Sequence, residues 1–373
     1  MYAGFVCFWS IHYKAQRNSL QYTGGKEAMG KYYNIEEKHL IFPEEGRPFA
    51  ACHASNLCLL PDGEKMAVWF GGSREGRDDV AIWGSRTKEG VWDTPRILVK
   101  DGGEPHWNPV LLYADGHLLL FYKVGRVIAA WRTMLRISRD NGRNFGEASE
   151  LVPGDEGGRG PVRCKPIVLS DGRILAGAST EEGIWTAYAD SSSDGGKTWH
   201  LSKPIRISLQ KEEPGQQENV EDRSRIPLSK QSFAGRGVIQ PTLWESTPGM
   251  VHMLLRSSEG EIFRSDSSDG GKSWSTPYGT GLPNNNSGID VIRTREGLLV
   301  LCMNPVSENF GPRTPLVLMV SDDNGKTWQQ EEILESGEGE FSYPCILAED
   351  RELFLTYTYK RSSICFVHLK RHV

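Results

Sequence analysis

A chain of 373 residues with net charge −5, 38% hydrophobic and 24% charged residues has the make-up of a folded globular protein. It carries no long Lys/Arg cluster, which excludes a basic face for a nucleic acid backbone, and no run near the roughly 18 apolar residues that a membrane span needs. Its 41 glycines and 20 prolines punctuate many short elements and favour an all-β fold.

Residues 1–30 read as an N-terminal extension apart from the fold. The apolar run Gly4–Ile11 has neither a basic leader nor a small-residue cleavage site, so no signal peptide is expected. The seven cysteines, Cys7, Cys52, Cys58, Cys164, Cys302, Cys345 and Cys365, are an odd number in mostly apolar contexts. That is the pattern of buried reduced thiols, and it favours a cytoplasmic over a secreted protein.

From residue 31 onward one unit repeats. Six segments each open on a polar residue, run as an apolar strand, turn, and return as a second strand: His53 to Trp69, Asn108 to Tyr122, Lys165 to Ala178, Gln240 to Leu255, Ser287 to Met303 and Tyr343 to Tyr357. Their starts lie 55, 57, 75, 47 and 56 residues apart, and each interval fits one propeller blade of roughly 40–50 residues plus loops. Residues 31–373 are therefore predicted to form a six-bladed β-propeller with four-stranded antiparallel blades. The stretch around Tyr32–Phe42 is predicted to supply the outer strand of the last blade, fastening the ring and removing its open edges.

A second repeat, Ser-x-Asp-x-Gly-x-Thr-Trp, occurs at Ser192–Trp199, Ser267–Trp274 and Ser321–Trp328, with a degenerate copy at Ser138–Phe145. It reads as a turn clip in which the Asp carboxylate accepts backbone N–H groups, Gly supplies a positive φ and the aromatic packs beneath. An identical motif serves every repeat equally, so these aspartates are structural rather than catalytic. The clip aspartates are spaced 54, 75 and 54 residues apart. The long interval holds an inserted loop near residues 210–236, a surface excursion or a wall of a binding face.

In a propeller the first strand of each blade lies nearest the axis, so its opening residue faces one mouth of the channel. The six openings, His53, Asn108, Lys165, Gln240, Ser287 and Tyr343, are all polar and all different where the frame repeats, which marks this mouth as the functional one. Return strands and adjoining loops add Arg74, Glu75, Asp79, Lys123, Glu181 and Arg256, joined by Arg163 and Arg313. Several cations among a few carboxylates favour an anionic ligand, because arginine holds a carboxylate through paired, coplanar donors.

The clips are Asp-boxes, and residues 45–370 resemble the sialidase, or bacterial neuraminidase repeat, superfamily. Pro312-Arg313 leading into the Ser321–Trp328 clip and then Phe341-Ser342-Tyr343-Pro344 is similar to the sialidase segment that carries the third carboxylate-binding arginine and the tyrosine nucleophile. By that resemblance Arg256 stands as the second arginine, and Asp79, or Asp78, as the acid/base aspartate. His53 stands where the first arginine belongs, Gln240 replaces the glutamate that activates the tyrosine, and Thr358 replaces a further glutamate. The pattern is closer to a subgroup with a channel histidine, related to rhamnosidases and to lyases of rhamnose–glucuronate linkages.

The resemblance implies a glycoside hydrolase that cleaves a terminal acidic sugar or its linkage. Its catalytic set would be His53, Glu75, Asp79, Gln240 and Tyr343, and its substrate-binding set Arg74, Asn108, Lys123, Arg163, Lys165, Glu181, Arg256, Ser287 and Arg313. The alternatives are a polysaccharide lyase or rhamnosidase acting on uronic-acid-containing glycans, or a non-catalytic glycan-binding propeller. No cofactor is expected, and no metal, since the nine histidines contain no His-Glu-x-x-His pattern. The expected partner is an acidic carbohydrate rather than nucleic acid or membrane.

Overall fold

The computed structural model describes residues 31–181, 183–209 and 235–372. The expected extension at 1–30 lies outside these residues, as does the expected inserted loop apart from Gly235 and Arg236. Strand β1 (Tyr33–Leu40) comes first. A first sheet follows from β2 (Ala51–Leu59), β3 (Lys65–Gly72), β4 (Ala81–Lys88), β5 (Val91–Trp92) and β6 (Arg96–Val99), and a second from β7 (His106–Ala114), β8 (His117–Val124), β9 (Arg132–Ser138) and β10 (Ser149–Glu150). Next come β11 (Ile167–Val168), β12 (Ile174–Thr180), β13 (Ile184–Ser192) and β14 (His200–Leu201), then β15 (Arg236–Thr247), β16 (Met250–Ser257), β17 (Glu261–Ser267) and β18 (Tyr278–Pro283). The last two sets are β19 (Asp290–Arg293), β20 (Leu299–Met303), β21 (Leu316–Ser321) and β22 (Gln329–Glu335), followed by β23 (Phe341–Glu349), β24 (Glu352–Tyr359) and β25 (Ser363–Arg371).

These strands pair into sheets that correct the expected six blades of four antiparallel strands. Four sheets are wholly antiparallel, self-contained propeller blades: β2–β6, β7–β10, β19–β22, and β23–β25 with β1. The third and fourth repeats instead share one eight-stranded sheet, because Ile184 and Trp185 of β13 pair in parallel with Arg236 and Gly237 of β15. Glycine permits this approach: at φ 137°, a Cβ on Gly237 would overlap the Trp185 carbonyl.

The first strands of these sets are joined by side chains that reach neighbouring backbone. Asn56 Oδ1 accepts from Leu111 N at 2.9 Å, linking β2 to β7, and Cys345 Sγ accepts from Leu57 N at 3.4 Å, linking β23 to β2. Thr242 Oγ1 accepts from Val291 N at 3.0 Å, linking β15 to β19. The Asp290 carboxylate is the hub: it accepts from Lys165 Nζ at 2.6 Å, Thr242 Oγ1 at 2.7 Å and Ile346 N at 2.9 Å. The ring is fastened where expected, β1 running antiparallel to β25 with Tyr33 opposite Arg371 and Leu40 opposite Cys365. Around the hub, strands such as β20 and β21 are buried along their whole length, as continuous apolar runs covered on both faces should be.

The clips form as read. Asp140, Asp194, Asp269 and Asp323 each accept the backbone N–H four residues on, at 2.8–2.9 Å, and Gly142, Gly196, Gly271 and Gly325 all have positive φ. The six described cysteines are buried free thiols.

Lys165 and Asp290 are 6% and 1% exposed, so removing one partner strands the other charge in the interior. Lys165→Met is expected to lower unfolding stability by about 3–5 kcal/mol, and Lys165→Met with Asp290→Leu to recover much of it; urea midpoints of the two variants check this.

Candidate functional site

One local device recurs at the openings of the first strands. The pairing of β2, β7, β15 and β23 with the following strand slips between His53 and Asn56, Trp107 and Val110, Ile239 and Thr242, and Ser342 and Cys345. Each slip is a β-bulge whose first residue is left-handed: Ala54 (φ 56°), Asn108 (φ 40°), Gln240 (φ 54°) and Tyr343 (φ 56°). Asn108, Gln240 and Tyr343 precede proline, which offers no N–H to the ladder and so tolerates the slip. A non-glycine residue in this region costs of order 1–3 kcal/mol and is retained mainly where a side chain must be aimed.

The bulge also sets the register. Ala54, not His53, is the equivalent of Asn108, Gln240 and Tyr343, and His53 lies one residue earlier, level with Trp107, Ile239 and Ser342.

The Tyr343 ring is ringed by three arginines, with the guanidinium carbons of Arg163, Arg313 and Arg256 at 5.1, 5.2 and 5.6 Å from its centroid. Arg256 donates to the Tyr343 hydroxyl at 2.6 Å, to Gln240 Oε1 at 3.0 Å and to Asn286 Oδ1 at 2.8 Å. Arg163 donates to the carbonyls of Ile289, at 2.9 Å, and Pro344, while its Nε is buried without a partner among the described residues. Neither buried guanidinium hydrogen-bonds a carboxylate among the described residues. Gly288 makes room for them: a Cβ there would lie 3.0 Å from Arg163 Nε and 3.2 Å from Tyr343 Cγ.

His53 closes the other side. Its ring centroid lies 4.1 Å from that of Tyr343, its Nδ1 is 3.0 Å from Thr358 Oγ1, and its Nε2 is 3.5 Å from Arg313 Nη1. Because Arg313 only donates, Nε2 carries the lone pair and Nδ1 the proton. Burial, reinforced by Arg361, Arg313, Arg163 and Arg256, holds the imidazole pKa well below its ordinary value, so His53 is neutral. Arg313 is in turn fixed by Glu340 at 2.6 Å, and Arg361 bridges Glu340 at 2.8 Å and Glu75 at 2.5 Å. Burial pushes the Glu340 carboxyl up, but Arg313 and Arg361 outweigh it and the net shift is downward.

Gln240 Nε2 donates to Glu181 Oε1 at 3.3 Å. Burial raises the Glu181 pKa against the opposing pull of Arg256, Gln240 and Lys123. The cluster thus joins His53, Glu75, Arg163, Glu181, Gln240, Arg256, Arg313 and Tyr343 of the predicted set.

Other predicted residues are engaged elsewhere. Lys165 belongs to the Asp290 hub, and Lys123 is buried against Thr133 Oγ1 and the Arg159 carbonyl, its pKa pulled down to about 7 by burial. Arg74 and Asp79 are exposed on the loop after β3. The Asp79 carboxylate accepts from Ser73 N at 2.8 Å and Ser73 Oγ at 2.9 Å, and Asp79 lines a cavity of about 400 Å³ with Phe49, Trp83 and Lys100. Ser287 is buried with its hydroxyl unpartnered among the described residues, and Asn108 sits at its bulge.

Sequence reasoning missed Glu340, Arg361 and Asn286. Glu340 stands three residues before Tyr343, and Arg361 lies in the hairpin after β24; the signal available was that this hairpin opens toward the same mouth as the Glu75 loop. Among the described residues no group of three or more His, Cys, Asp and Glu side chains could hold a metal ion, and no helix is long and apolar enough to cross a membrane.

Propeller blades that bring arginines together about a tyrosine at their strand openings are the arrangement that the sialidase resemblance implies. Residues 63–355 match the BNR repeat-like domain, and the chain belongs to that family. Among solved structures it is similar to the Hadza microbial sialidase Hz136 (17% identity, TM-score 0.70, covering 89% of this chain and 68% of that one). It is also similar to a protein of unknown function from Dyadobacter fermentans (13%, 0.71, covering 91% and 99%) and to Trypanosoma rangeli sialidase in complex with the inhibitor DANA (14%, 0.64, covering 86% and 55%). At these identities the likeness is one of fold. No curated protein matches the chain.

A neutral folded-state His53 makes the fold sensitive to acid. Below its unfolded pKa of about 6.5 the unfolded chain binds a proton that the folded protein excludes, so stability falls as pH drops through that value, by up to about 1.4 kcal/mol per pH unit. Urea unfolding between about pH 5 and 7 should show a shallower pH slope for His53→Gln than for the wild type; equal slopes would mean that His53 titrates normally.

Proposed function

We propose that this protein is a carbohydrate-active enzyme that cleaves a glycosidic linkage of a carboxylate-bearing sugar, as a glycoside hydrolase of the sialidase-like type. The observation that carries this reading is the arginine set about Tyr343, of which Arg163 and Arg256 hydrogen-bond only neutral acceptors among the described residues. A buried cation without a carboxylate partner is costly, and a sugar carboxylate is its complement. Tyr343 would meet the anomeric carbon, with Arg256, 2.6 Å from its hydroxyl, stabilising the phenolate. Glu181, which holds its proton to a higher pH than an ordinary glutamate, suits the role of acid for the leaving oxygen. Glu75, ion-paired with Arg361, suits holding the arginine network.

A second reading, a lyase, is favoured by one observation: neutral His53 packs at a tilt against Tyr343, to which no carboxylate among the described residues is hydrogen-bonded, Gln240 standing at that place. His53 Nε2 would take the proton beside the sugar carboxylate, the arginines would hold the resulting negative charge, and Tyr343 would protonate the leaving oxygen. A lyase leaves an unsaturated, ultraviolet-absorbing uronate, whereas hydrolysis adds the elements of water.

The test is incubation with oligosaccharides bearing sialyl or glucuronyl termini, with products read by mass and ultraviolet absorbance. Arg256→Ala is expected to lower kcat/KM by about 10²-fold or more. Saturable binding without any product would make this a glycan-binding propeller, and indifference to every acidic sugar would remove the proposal.

A further inference from the structure

A second cluster of reactive side chains lies at the far end of β15. Ser246 sits six residues beyond Gln240, so the two are separated by about 20 Å along the strand, and the cluster shares no residue with the Tyr343 site. The pairing of β15 with β16 slips between Glu245 and Thr247, leaving Ser246 as the extra residue of a bulge. Such a bulge turns a side chain out of the ladder. Ser246 Oγ lies 2.8 Å from His252 Nε2, and His252 Nδ1 lies 2.5 Å from Asp266 Oδ1.

The hydrogen bonds fix the imidazole tautomer. Asn324 Nδ2 lies 3.2 Å from the same Nε2, and an amide N–H only donates there, so Nε2 carries a lone pair and Nδ1–H points at Asp266. The Ser246 hydroxyl then donates to Nε2, with the Met250 carbonyl at 3.3 Å as its other acceptor. Trp244 stacks on the His252 ring at 5.0 Å and holds its plane. Burial pushes the Asp266 carboxyl up, but His252, Tyr278 and Arg264 together hold it well below the usual range, so it is ionised. Arg264 donates through Nε to the same Asp266 Oδ1 at 2.9 Å, which brings its Nη2 within 3.0 Å of His252 Nδ1, while its Nη1 holds the Asn324 carbonyl at 2.6 Å.

We propose that Ser246, His252 and Asp266 form a second, esterolytic site that accepts small carboxylic esters from solvent. A serine hydroxyl bonded to one nitrogen of an imidazole whose other nitrogen faces an ionised carboxylate is the arrangement that makes a hydroxyl nucleophilic, whatever fold presents it. Ser246 Oγ adds to the ester carbonyl while its proton passes to His252 Nε2. The tetrahedral intermediate expels the alcohol, which takes that proton. Water then attacks the acyl-serine, giving one proton to His252, and the acid leaves as Ser246 Oγ regains it. Asn324 Nδ2, beside the same Nε2, is the donor placed to meet the oxyanion.

The experiment treats the full-length protein with a fluorophosphonate probe and with p-nitrophenyl acetate, and locates the adduct by peptide mass mapping. The expected result is one adduct on Ser246, lost in Ser246→Ala, with ester turnover and labelling falling about 10²–10⁴-fold in His252→Gln. Circular dichroism melts of both variants report whether the fold is kept. No adduct on Ser246 in the folded wild type, or equal labelling of a folded His252→Gln, overturns the proposal and leaves the cluster as a latch for the Asn324 turn.

Discussion

The molecule is organised around one buried carboxylate. Asp290 sits where four repeats converge, and its two oxygens receive a lysine from the third repeat, a threonine from the fourth and a backbone N–H from the last. Taking a carboxylate and an ammonium out of water costs several kcal/mol each, recovered only when geometry and extra hydrogen bonds are good. Asp290 therefore confers more positional definition than stability. With it in place the first strands have one register relative to each other, and their openings fall at one mouth.

That register gives the bulges their meaning. Each bulge releases one residue of a first strand from the ladder into a left-handed conformation, and at Gln240 and Tyr343 the released side chains meet Arg256. The arginines come from different places: Arg163 from the segment before β11, Arg256 from β16, and Arg313 from the connection between β20 and β21. The Asp290 hub ties together the three repeats they come from. With it, three guanidinium groups surround one phenol, and the Glu340–Arg361–Glu75 chain keeps Arg313 beside His53.

The parts of this arrangement that repeat were legible in the sequence. The Asp-box spacing, the closing strand before β2 and the polar openings are periodic, and periodicity survives reading without coordinates. What the sequence hid was aperiodic. The shared sheet of the third and fourth repeats depends on a two-residue parallel pairing at Trp185 and Gly237, which has no motif. The bulge moves the structural equivalent of Tyr343 from His53 to Ala54, a one-residue shift invisible to strand-opening alignment, because His53 is polar and Ala54 is not. Lys165 looked like a ligand contact since it opens a strand, yet only the packed structure reveals Asp290 as its partner. Glu340 and Arg361 act through one another across a sheet, 21 residues apart in sequence, and neither stands out alone.

The departures from the sialidase pattern at His53 and Gln240 are coupled electrostatically. A histidine for an arginine removes one positive charge, because burial among Arg361, Arg313, Arg163 and Arg256 keeps the imidazole neutral. A glutamine for a glutamate removes one negative charge from the neighbourhood of Arg256 and Tyr343. With Thr358 in place of a further glutamate, the three exchanges that the resemblance implies remove one positive and two negative charges, so the mouth is left more positive while the means of moving a proton change. A glutamate at 240 would take a proton from the tyrosine; a glutamine cannot, and the neutral basic atom left beside the ring is His53 Nε2. On the proposed reading, anion recognition and proton transfer are thus separable: the arginines would set the first, and the pair at 53 and 240 the second.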